Sequence, residues 1–296
     1  MHYDVFTKLF EAIVEPVLFY GAGIWGHRYF PEVDTVLNKA CRLFLGTSKN
    51  ASNIATKGDM GWCSSQVKQK IETVRLWCRL KNMSGDRLCK KVHNWALSSS
   101  KSWEKHMIRF INDLNVSDIM LVNKPCKTTC IKVIKEKLIA NDCNNWLIKL
   151  NSNGTLANGN KLRTYRTYKN HFCTEPYVKG NLRRDERSII AKFRSCNLPL
   201  AIETGRFTRP KTPLTDRICK YCSANEIEDE THFLIKCEFF DDIRYPLLQS
   251  AAAENQYFHD YTEEQMLIYL MSAENLQRKI ASCLQKMMSR RRSFSL

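Results

Sequence analysis

The feature that most constrains this sequence is a set of four potential metal ligands in its C-terminal third. Cys219 and Cys222 are separated by two residues, His232 follows after nine more and Cys237 after another four, which gives the pattern C-x2-C-x9-H-x4-C. Thiolate sulfur and imidazole nitrogen are the usual ligands of structural zinc, which is normally held by four of them in a tetrahedron. All four positions are filled, so the pattern predicts a closed Zn²⁺ site with no place for a catalytic water. Coincidence is the alternative, since thirteen cysteines make a chance C-x2-C pair plausible, but the matching histidine and third cysteine favour zinc.

The charge balance indicates a polyanionic partner. The 296 residues carry a formal net charge of +16, and an excess of this size favours nucleic acid over membrane. Residues 161–220 hold fifteen cations and five acids, so their net excess is +10. Lys and Arg neutralise phosphates, although a basic surface that only improves solubility is the alternative. The cations of this segment are therefore the predicted binding signal.

Aromatic residues are interleaved with these cations. Aromatic faces can stack on exposed bases, but Tyr165, Tyr168 and Phe172 are spaced by three and four residues, as on one side of a helix. We therefore expect these three rings to form a buried stripe and not to contact bases.

Apolar residues recur at helical spacing along most of the chain, which predicts a mainly α-helical fold. Amphipathic helices are predicted over 3–20 with an interruption at Pro16, and over 32–45, 64–82, 86–97, 103–115, 127–149 and 267–284. Lys68, Lys70, Arg75, Arg79 and Lys81 share the outer face of one helix, where a merely solvated face is the more common outcome.

The ends of the predicted domains are marked by polar linkers. The Asn- and Gly-rich stretch 151–160 is the clearest boundary, and the predicted division is a helical bundle over 1–98, a helical connector over 99–160 and a basic zinc-containing domain over 161–296. Residues 289–293 contain three arginines and are expected to be a disordered basic tail.

The cysteine usage and the first residues bear on the compartment. Charged residues interrupt the first apolar run, so no secretory signal peptide is expected. No apolar stretch reaches the roughly 18 residues that a membrane span needs. We therefore expect an intracellular protein, nuclear or cytoplasmic, with reduced thiols and no membrane partner.

Three segments carry a resemblance to one family. Residues 219–244 (CKYCSANEIEDETHFLIKCEFFDDIR) and 191–206 (AKFRSCNLPLAIETGR) are similar to the zinc-knuckle region, and the stretch before it, of non-LTR (LINE-type) retrotransposon reverse transcriptases. Residues 15–26 (EPVLFYGAGIWG) resemble the polymerase thumb of that family, although Gly23 stands where the family often has an acidic residue. The order of the three segments is that of the family, and the resemblance implies a thumb-like bundle followed by a small zinc knuckle.

The catalytic parts of such an enzyme are not recognisable in the sequence. A reverse transcriptase needs aspartates that hold two metal ions, and Phe239-Phe240-Asp241-Asp242 fits the family's catalytic string of an aromatic residue, any residue and two aspartates. This string follows a zinc ligand, whereas the family's catalytic pair precedes the thumb, so we expect Phe239 and Phe240 to pack beside the knuckle. The resemblance is therefore to a fragment that is not an enzyme by itself.

The predicted function is binding of RNA or DNA, with little sequence specificity, through a basic surface organised by Zn²⁺. The residues predicted to contact nucleic acid are Arg206, Arg209, Lys211, Arg217, Lys220, Tyr221 and Lys236. Two alternatives stay open. One is a zinc-stapled helical module that binds other proteins, and the other is a non-catalytic polymerase part that works with a palm domain from another chain.

Overall fold

The computed structural model describes residues 1–99, 102–152 and 161–294, and these residues are mainly helical, as predicted. They contain no β-strand, and a single isolated antiparallel bridge joins Ile218 and Ile227. None of the helices described is both long enough and apolar enough to cross a membrane.

The helices are given in chain order. The first half contains α1 (Tyr3–Leu9), a π-helical turn (Phe10–Val14), α2 (Glu15–Leu18), α3 (Ala22–Trp25), α4 (Pro31–Leu45), α5 (Asn53–Met60), α6 (Ser65–Asn82), α7 (Leu88–Ala96), α8 (Trp103–Asp113), α9 (Ser117–Met120) and α10 (Lys127–Asn151). The second half contains α11 (Tyr165–Tyr168), α12 (Pro176–Lys179), α13 (Arg184–Arg194), α14 (Ala201–Thr204), a 3₁₀ turn (Leu214–Asp216), a π-helical turn (His232–Lys236), a 3₁₀ turn (Glu238–Phe240), α15 (Asp241–Glu254), a 3₁₀ turn (Phe258–Asp260), α16 (Glu263–Ser272) and α17 (Gln277–Ser293).

Most of the predicted helices are confirmed. Those over 32–45, 64–82, 86–97, 103–115 and 127–149 are present, with ends that differ by no more than two residues. In the first predicted helix, the π-helical turn lies directly before α2, whose second residue is Pro16. Proline lacks a backbone N–H and cannot continue the regular hydrogen-bond ladder.

Two predictions for the C-terminal end are wrong. The helix predicted over 267–284 is divided into α16 and α17, because Ala273 turns to an extended backbone and its carbonyl accepts from the Gln277 side chain. The tail over 289–293 is the last turn of α17 and not disordered. Arg290 pairs with Asp242, and Arg291 pairs with Glu228.

The contacts divide the chain into two compact units. The first unit comprises 1–6, 38–62 and 146–296, and the second comprises 7–37 and 63–145. These units do not coincide with the predicted ranges 1–98, 99–160 and 161–296, and that three-part division stays a prediction, as does the bundle. The linker 151–160 lies largely outside the described residues.

Each unit has its own apolar core. In the second unit, Val74, Trp77 and Cys78 of α6 pack on Met107 and Ile111 of α8. This is the inward face that the apolar spacing of residues 64–82 predicts.

In the first unit, side chains from α13, α16 and α17 form one core that includes Phe193, Leu267 and Leu284. Phe233 and Phe240, which flank the last potential metal ligand, belong to the same core. The segment with the four predicted zinc ligands is therefore anchored on the interior of the first unit.

Candidate metal centre and basic loop

The structure brings the four predicted zinc ligands together. One potential ligand atom from each of Cys219, Cys222, His232 and Cys237, which we call the metal cluster, lies within 4.8 Å of all the others. The sulfur atoms of Cys219 and Cys237 are 3.8 Å apart, and the Cys222 sulfur is 3.4 Å from Nε2 of His232. This cluster could hold a metal ion.

Local backbone hydrogen bonds explain how the ligands converge. The Cys219 amide donates to the Glu226 carbonyl at 2.8 Å, and the Glu228 amide donates to the Arg217 carbonyl at 3.0 Å. These bonds close the loop that carries the first two cysteines. The Cys237 amide donates to the His232 carbonyl at 2.8 Å across a single π-helical turn. The second pair of ligands is thereby held on the same side of that turn.

The histidine of the metal cluster is oriented by a carboxylate. Nδ1 of His232 lies 3.2 Å from Oε2 of Glu226, to which it can donate, and Lys236 pairs with the same carboxylate. A hydrogen bond of this kind fixes the tautomer of a metal-binding histidine and leaves its other nitrogen for the metal. His232 is buried, so Nε2 faces the three sulfur atoms and not solvent.

The sulfur atoms of Cys219 and Cys237 share a hydrogen bond. The hydrogen bond from the Cys237 thiol lowers the pKa of Cys219, and the same contact raises the pKa of Cys237. Burial acts to lower the pKa of His232, but its contacts with Cys219 and Glu226 outweigh burial and raise that pKa. The cluster thus favours thiolate at Cys219, and a metal ion binds thiolate sulfur.

Four of the seven residues predicted to contact nucleic acid are engaged within the protein, and Arg217 is the clearest correction. Arg217 is only 2% exposed. Its guanidinium donates to the carbonyl of Thr212 at 3.0 and 2.9 Å and to that of Ile202 at 3.0 Å. The sequence shows a cation but not these carbonyls, so the prediction that Arg217 contacts phosphate is wrong.

Lys236 and Tyr221 are also held by neighbours. Lys236 pairs with Glu226 at 3.1 Å and with Glu263 at 3.2 Å, in a depression that is also lined by Glu238 and Asp241. The acidic surroundings of Lys236 disfavour a phosphate there.

The guanidinium of Arg291 lies 4.8 Å from the centre of the Tyr221 ring, and the centre of the Phe239 ring lies 5.5 Å from the same point. Arg206 pairs with Glu203 at 3.1 Å. The three remaining predicted residues, Arg209, Lys211 and Lys220, are exposed.

Other cations of 161–220 have structural roles as well. Arg163 pairs with Glu203 and Glu230, and Lys169, Arg187 and Arg194 are buried. Only part of the +10 excess therefore lies on the surface. The exposed cations of this segment are Lys179, Arg183, Arg184, Arg209, Lys211 and Lys220.

The aromatic residues of this segment mostly lie in the interior, as predicted. Tyr165 is buried, and Tyr168 and Phe172 pack against the same small core. Phe172 lies beyond the end of α11, so the predicted helical stripe is shorter than expected. Phe207 is the exception, because its side chain is 74% exposed.

Residues 205–217, which we call the basic loop, are braced, that is, held together by hydrogen bonds within the loop. The Thr212 amide donates to the Gly205 carbonyl at 3.1 Å and to the Thr208 hydroxyl at 2.8 Å, and the Arg217 guanidinium reaches the Thr212 carbonyl. A Cβ added at Gly205 would lie 2.8 Å from Cγ of Arg217. The backbone of the loop is therefore tightly packed on a buried arginine, while Phe207, Arg209 and Lys211 face solvent.

No protein-family model matches the chain, and no curated protein or solved structure is significantly similar to it. The resemblance to LINE-type reverse transcriptases rests on the three sequence segments alone.

The Phe239-Phe240-Asp241-Asp242 string lies beside the metal cluster. Phe240 is buried against Phe233, and Phe239 contacts both Phe240 and Tyr221. Asp241 pairs with Arg244. Asp242 is held by Arg290, whose hydrogen bonds lower the pKa of Asp242 to about 2. Both carboxylates therefore have arginine partners within the first unit.

Proposed function

We propose that the chain binds RNA or DNA through the basic loop and Lys220, and that a Zn²⁺ ion in the metal cluster fixes the adjoining backbone. The observation that carries this proposal is the braced loop, which presents Arg209 and Lys211 to solvent directly before the first cysteine of the cluster. Residues 205–215 contain no acid. Phosphate contacts from such a surface position the ligand without reading its sequence, so little sequence preference is expected.

The distances in the metal cluster support the choice of zinc. In a tetrahedral site with zinc–sulfur bonds of about 2.3 Å, two sulfur ligands lie about 3.8 Å apart. A sulfur ligand and a nitrogen ligand of the same ion lie about 3.5 Å apart. The two separations found are 3.8 Å and 3.4 Å. The Cys3His set is a recurrent structural zinc set, and it leaves no open position for catalysis.

The proposal predicts a steep salt dependence of binding. A triple variant in which Arg209, Lys211 and Lys220 are each replaced by glutamine should bind duplex DNA with a weaker salt dependence. The slope of log affinity against log salt concentration should become less negative by about two to three units, because each lost phosphate contact removes about 0.9 unit. If about six cations engage the duplex, the wild-type slope is about −5. Fluorescence anisotropy at several salt concentrations measures the slopes. Arg206 and Arg217 stay unchanged because they hold the loop.

The matched control is a second set of cations on the other unit. Lys68 pairs with Glu15 and Arg75 with Glu72, so replacing Lys68, Arg75 and Arg79 with glutamine should change the slope much less. Equal slopes for wild type and both triple variants would mean that the basic loop contacts no phosphate.

The resemblance also leads us to propose that this chain is a C-terminal part of a retrotransposon reverse transcriptase, without a polymerase or endonuclease site of its own. We expect no Mg²⁺-dependent primer extension by the purified chain, since Asp241 and Asp242 are held by arginines. A radiolabelled primer-extension assay checks this. Extension that disappears in Asp241→Ala would contradict it, and extension only after addition of a separate palm-bearing chain would favour the polymerase-subunit alternative.

A protein-interaction module is the second candidate function. In the second unit, Leu9, Ile13 and Val17 are spaced by four residues and all are exposed. Tyr20 and Ile24 continue this run of exposed apolar side chains. Exposed apolar surface of this kind is typical of protein contact sites. Equal salt slopes in the titration above would make this function the leading one.

A further inference from the structure

We propose that Phe207 is a stacking platform for an unpaired base, so that the ligand of the basic loop is single-stranded nucleic acid. This inference rests on the proposed function and adds the class of ligand. Among the described residues, Phe207 is the most exposed phenylalanine, at 74%. Leaving such a ring in water forgoes the free energy that burial of an aromatic side chain provides, so the ring contributes little to the folding of the chain and its faces are open to a ligand.

Hydrogen bonds of the loop hold the backbone at Phe207 in place before any ligand arrives. Phe207 follows α14, and its amide donates to the Thr204 carbonyl at 3.0 Å. The next residue, Thr208, accepts from the Thr212 amide and donates its hydroxyl proton to the Gly205 carbonyl at 3.0 Å. The buried Arg217 closes the base of this turn. Little backbone entropy is lost on binding when the contact residue is fixed in this way.

The neighbours of the ring match the chemistry of a nucleotide. Arg209 and Lys211 are exposed within four residues of Phe207, and the nearest acid before it, Glu203, is buried and paired with Arg163 and Arg206. A base can stack on the ring while the cations contact the adjoining phosphates, which is the usual arrangement in proteins that bind single strands. A duplex keeps its bases stacked and paired, so it offers the ring no free face.

A protein partner fits this loop less well. Apolar docking surfaces are contiguous and cover a few hundred Å². Apart from two prolines, Leu214 is the other exposed apolar residue of the basic loop, and at 39% it is much less exposed than Phe207. A lone ring between cations is therefore better suited to a base than to an apolar protein surface.

The test compares three variants on two probes. The probes are a fluorescein-labelled single-stranded oligonucleotide of mixed sequence and the duplex made from it, at one fixed salt concentration. Phe207→Ala should weaken single-strand binding by about 5- to 150-fold, the range that loss of one stacked base gives, and leave duplex binding within about twofold. Phe207→Trp should keep single-strand binding, because indole also stacks.

Tyr257→Ala is the matched control. Tyr257 is 60% exposed in the same unit, but Glu254 and Asp260 stand in its part of the sequence, and its loss should change neither affinity. Equal single-strand affinity of wild type and Phe207→Ala, or an equal loss on both probes, would overturn the stacking role while phosphate binding by the loop stands. If the wild type binds neither the single strand nor the duplex, the proposed function is overturned, and the stacking role with it.

Discussion

Replacement of Cys237 with serine is expected to remove the metal and unfold the segment from Arg217 to Phe240. This segment has only one bridge and single helical turns of its own, so backbone hydrogen bonds alone hold it weakly. In small zinc modules the free energy of metal binding, about 10–16 kcal/mol at neutral pH, is also the free energy of folding. Loss of one of the four ligands therefore removes a large stabilising contribution, which the packing of Phe233 and Phe240 in the core does not replace for the loop that carries Cys219 and Cys222.

Two measurements on the same preparations check this prediction. Elemental analysis should find about one zinc per wild-type chain and little in Cys237→Ser. Limited proteolysis should cut the variant within 217–240 at concentrations that leave the wild type intact. Cys173→Ser serves as the control, since Cys173 is an exposed cysteine of the same unit that lies outside the metal cluster. Wild-type protein that contains no zinc and still resists cleavage in 217–240 would refute the metal assignment.

The metal cluster could be predicted from the sequence because its four residues lie close together in the chain. A turn and one loop are enough to bring Cys219 and Cys237 to 3.8 Å, and no distant partner is needed. The helices could also be predicted, since each depends on its own periodic apolar residues. The orienting contact of Glu226 with His232 was not predicted, although an acid six residues before the histidine was visible in the same loop.

The role of each arginine could not be predicted, because a buried arginine is defined by partners far away in the sequence. Arg194 pairs with Asp59, which is 135 positions earlier, and Arg291 pairs with Glu228. A count of charges treats these residues in the same way as the exposed Arg209. For the same reason the sequence predicts a disordered tail over 289–293, whereas two of its three arginines, Arg290 and Arg291, bind acids that are remote in sequence.

A cluster of strongly buried charges in the first unit surrounds Asp59. Asp59 is 2% exposed and accepts hydrogen bonds from Arg194 at 3.0 Å, from the Tyr165 hydroxyl at 2.8 Å and from the Tyr177 hydroxyl at 2.7 Å. Glu175 accepts from Arg194 at 2.7 Å and pairs with Lys169. Burial raises the pKa of both tyrosines, so their hydroxyls stay protonated and donate. Two carboxylates thus balance two cations in the interior.

Asp59→Ala should lower the free energy of unfolding of the protein by about 3–5 kcal/mol, because it leaves Arg194 with one carboxylate instead of two and takes the acceptor from the buried Tyr177 hydroxyl, while the Tyr165 hydroxyl keeps the Ala55 carbonyl at 3.2 Å. Urea unfolding followed by circular dichroism measures this change. Asp216→Ala, at an exposed aspartate of the same unit, should change the free energy by no more than about 0.5 kcal/mol.

A double variant distinguishes destabilisation caused by unpaired charge from destabilisation caused by lost packing. In Asp59→Ala with Arg194→Met, a cation and its carboxylate leave together, and Lys169 still balances Glu175. The double variant should therefore be less destabilised than the sum of the two single variants, by about 1–3 kcal/mol, as residues of one buried network usually are. Strict additivity of the two changes would mean that Asp59 and Arg194 are not energetically coupled, and that the 3.0 Å contact between them contributes little to the stability of the first unit.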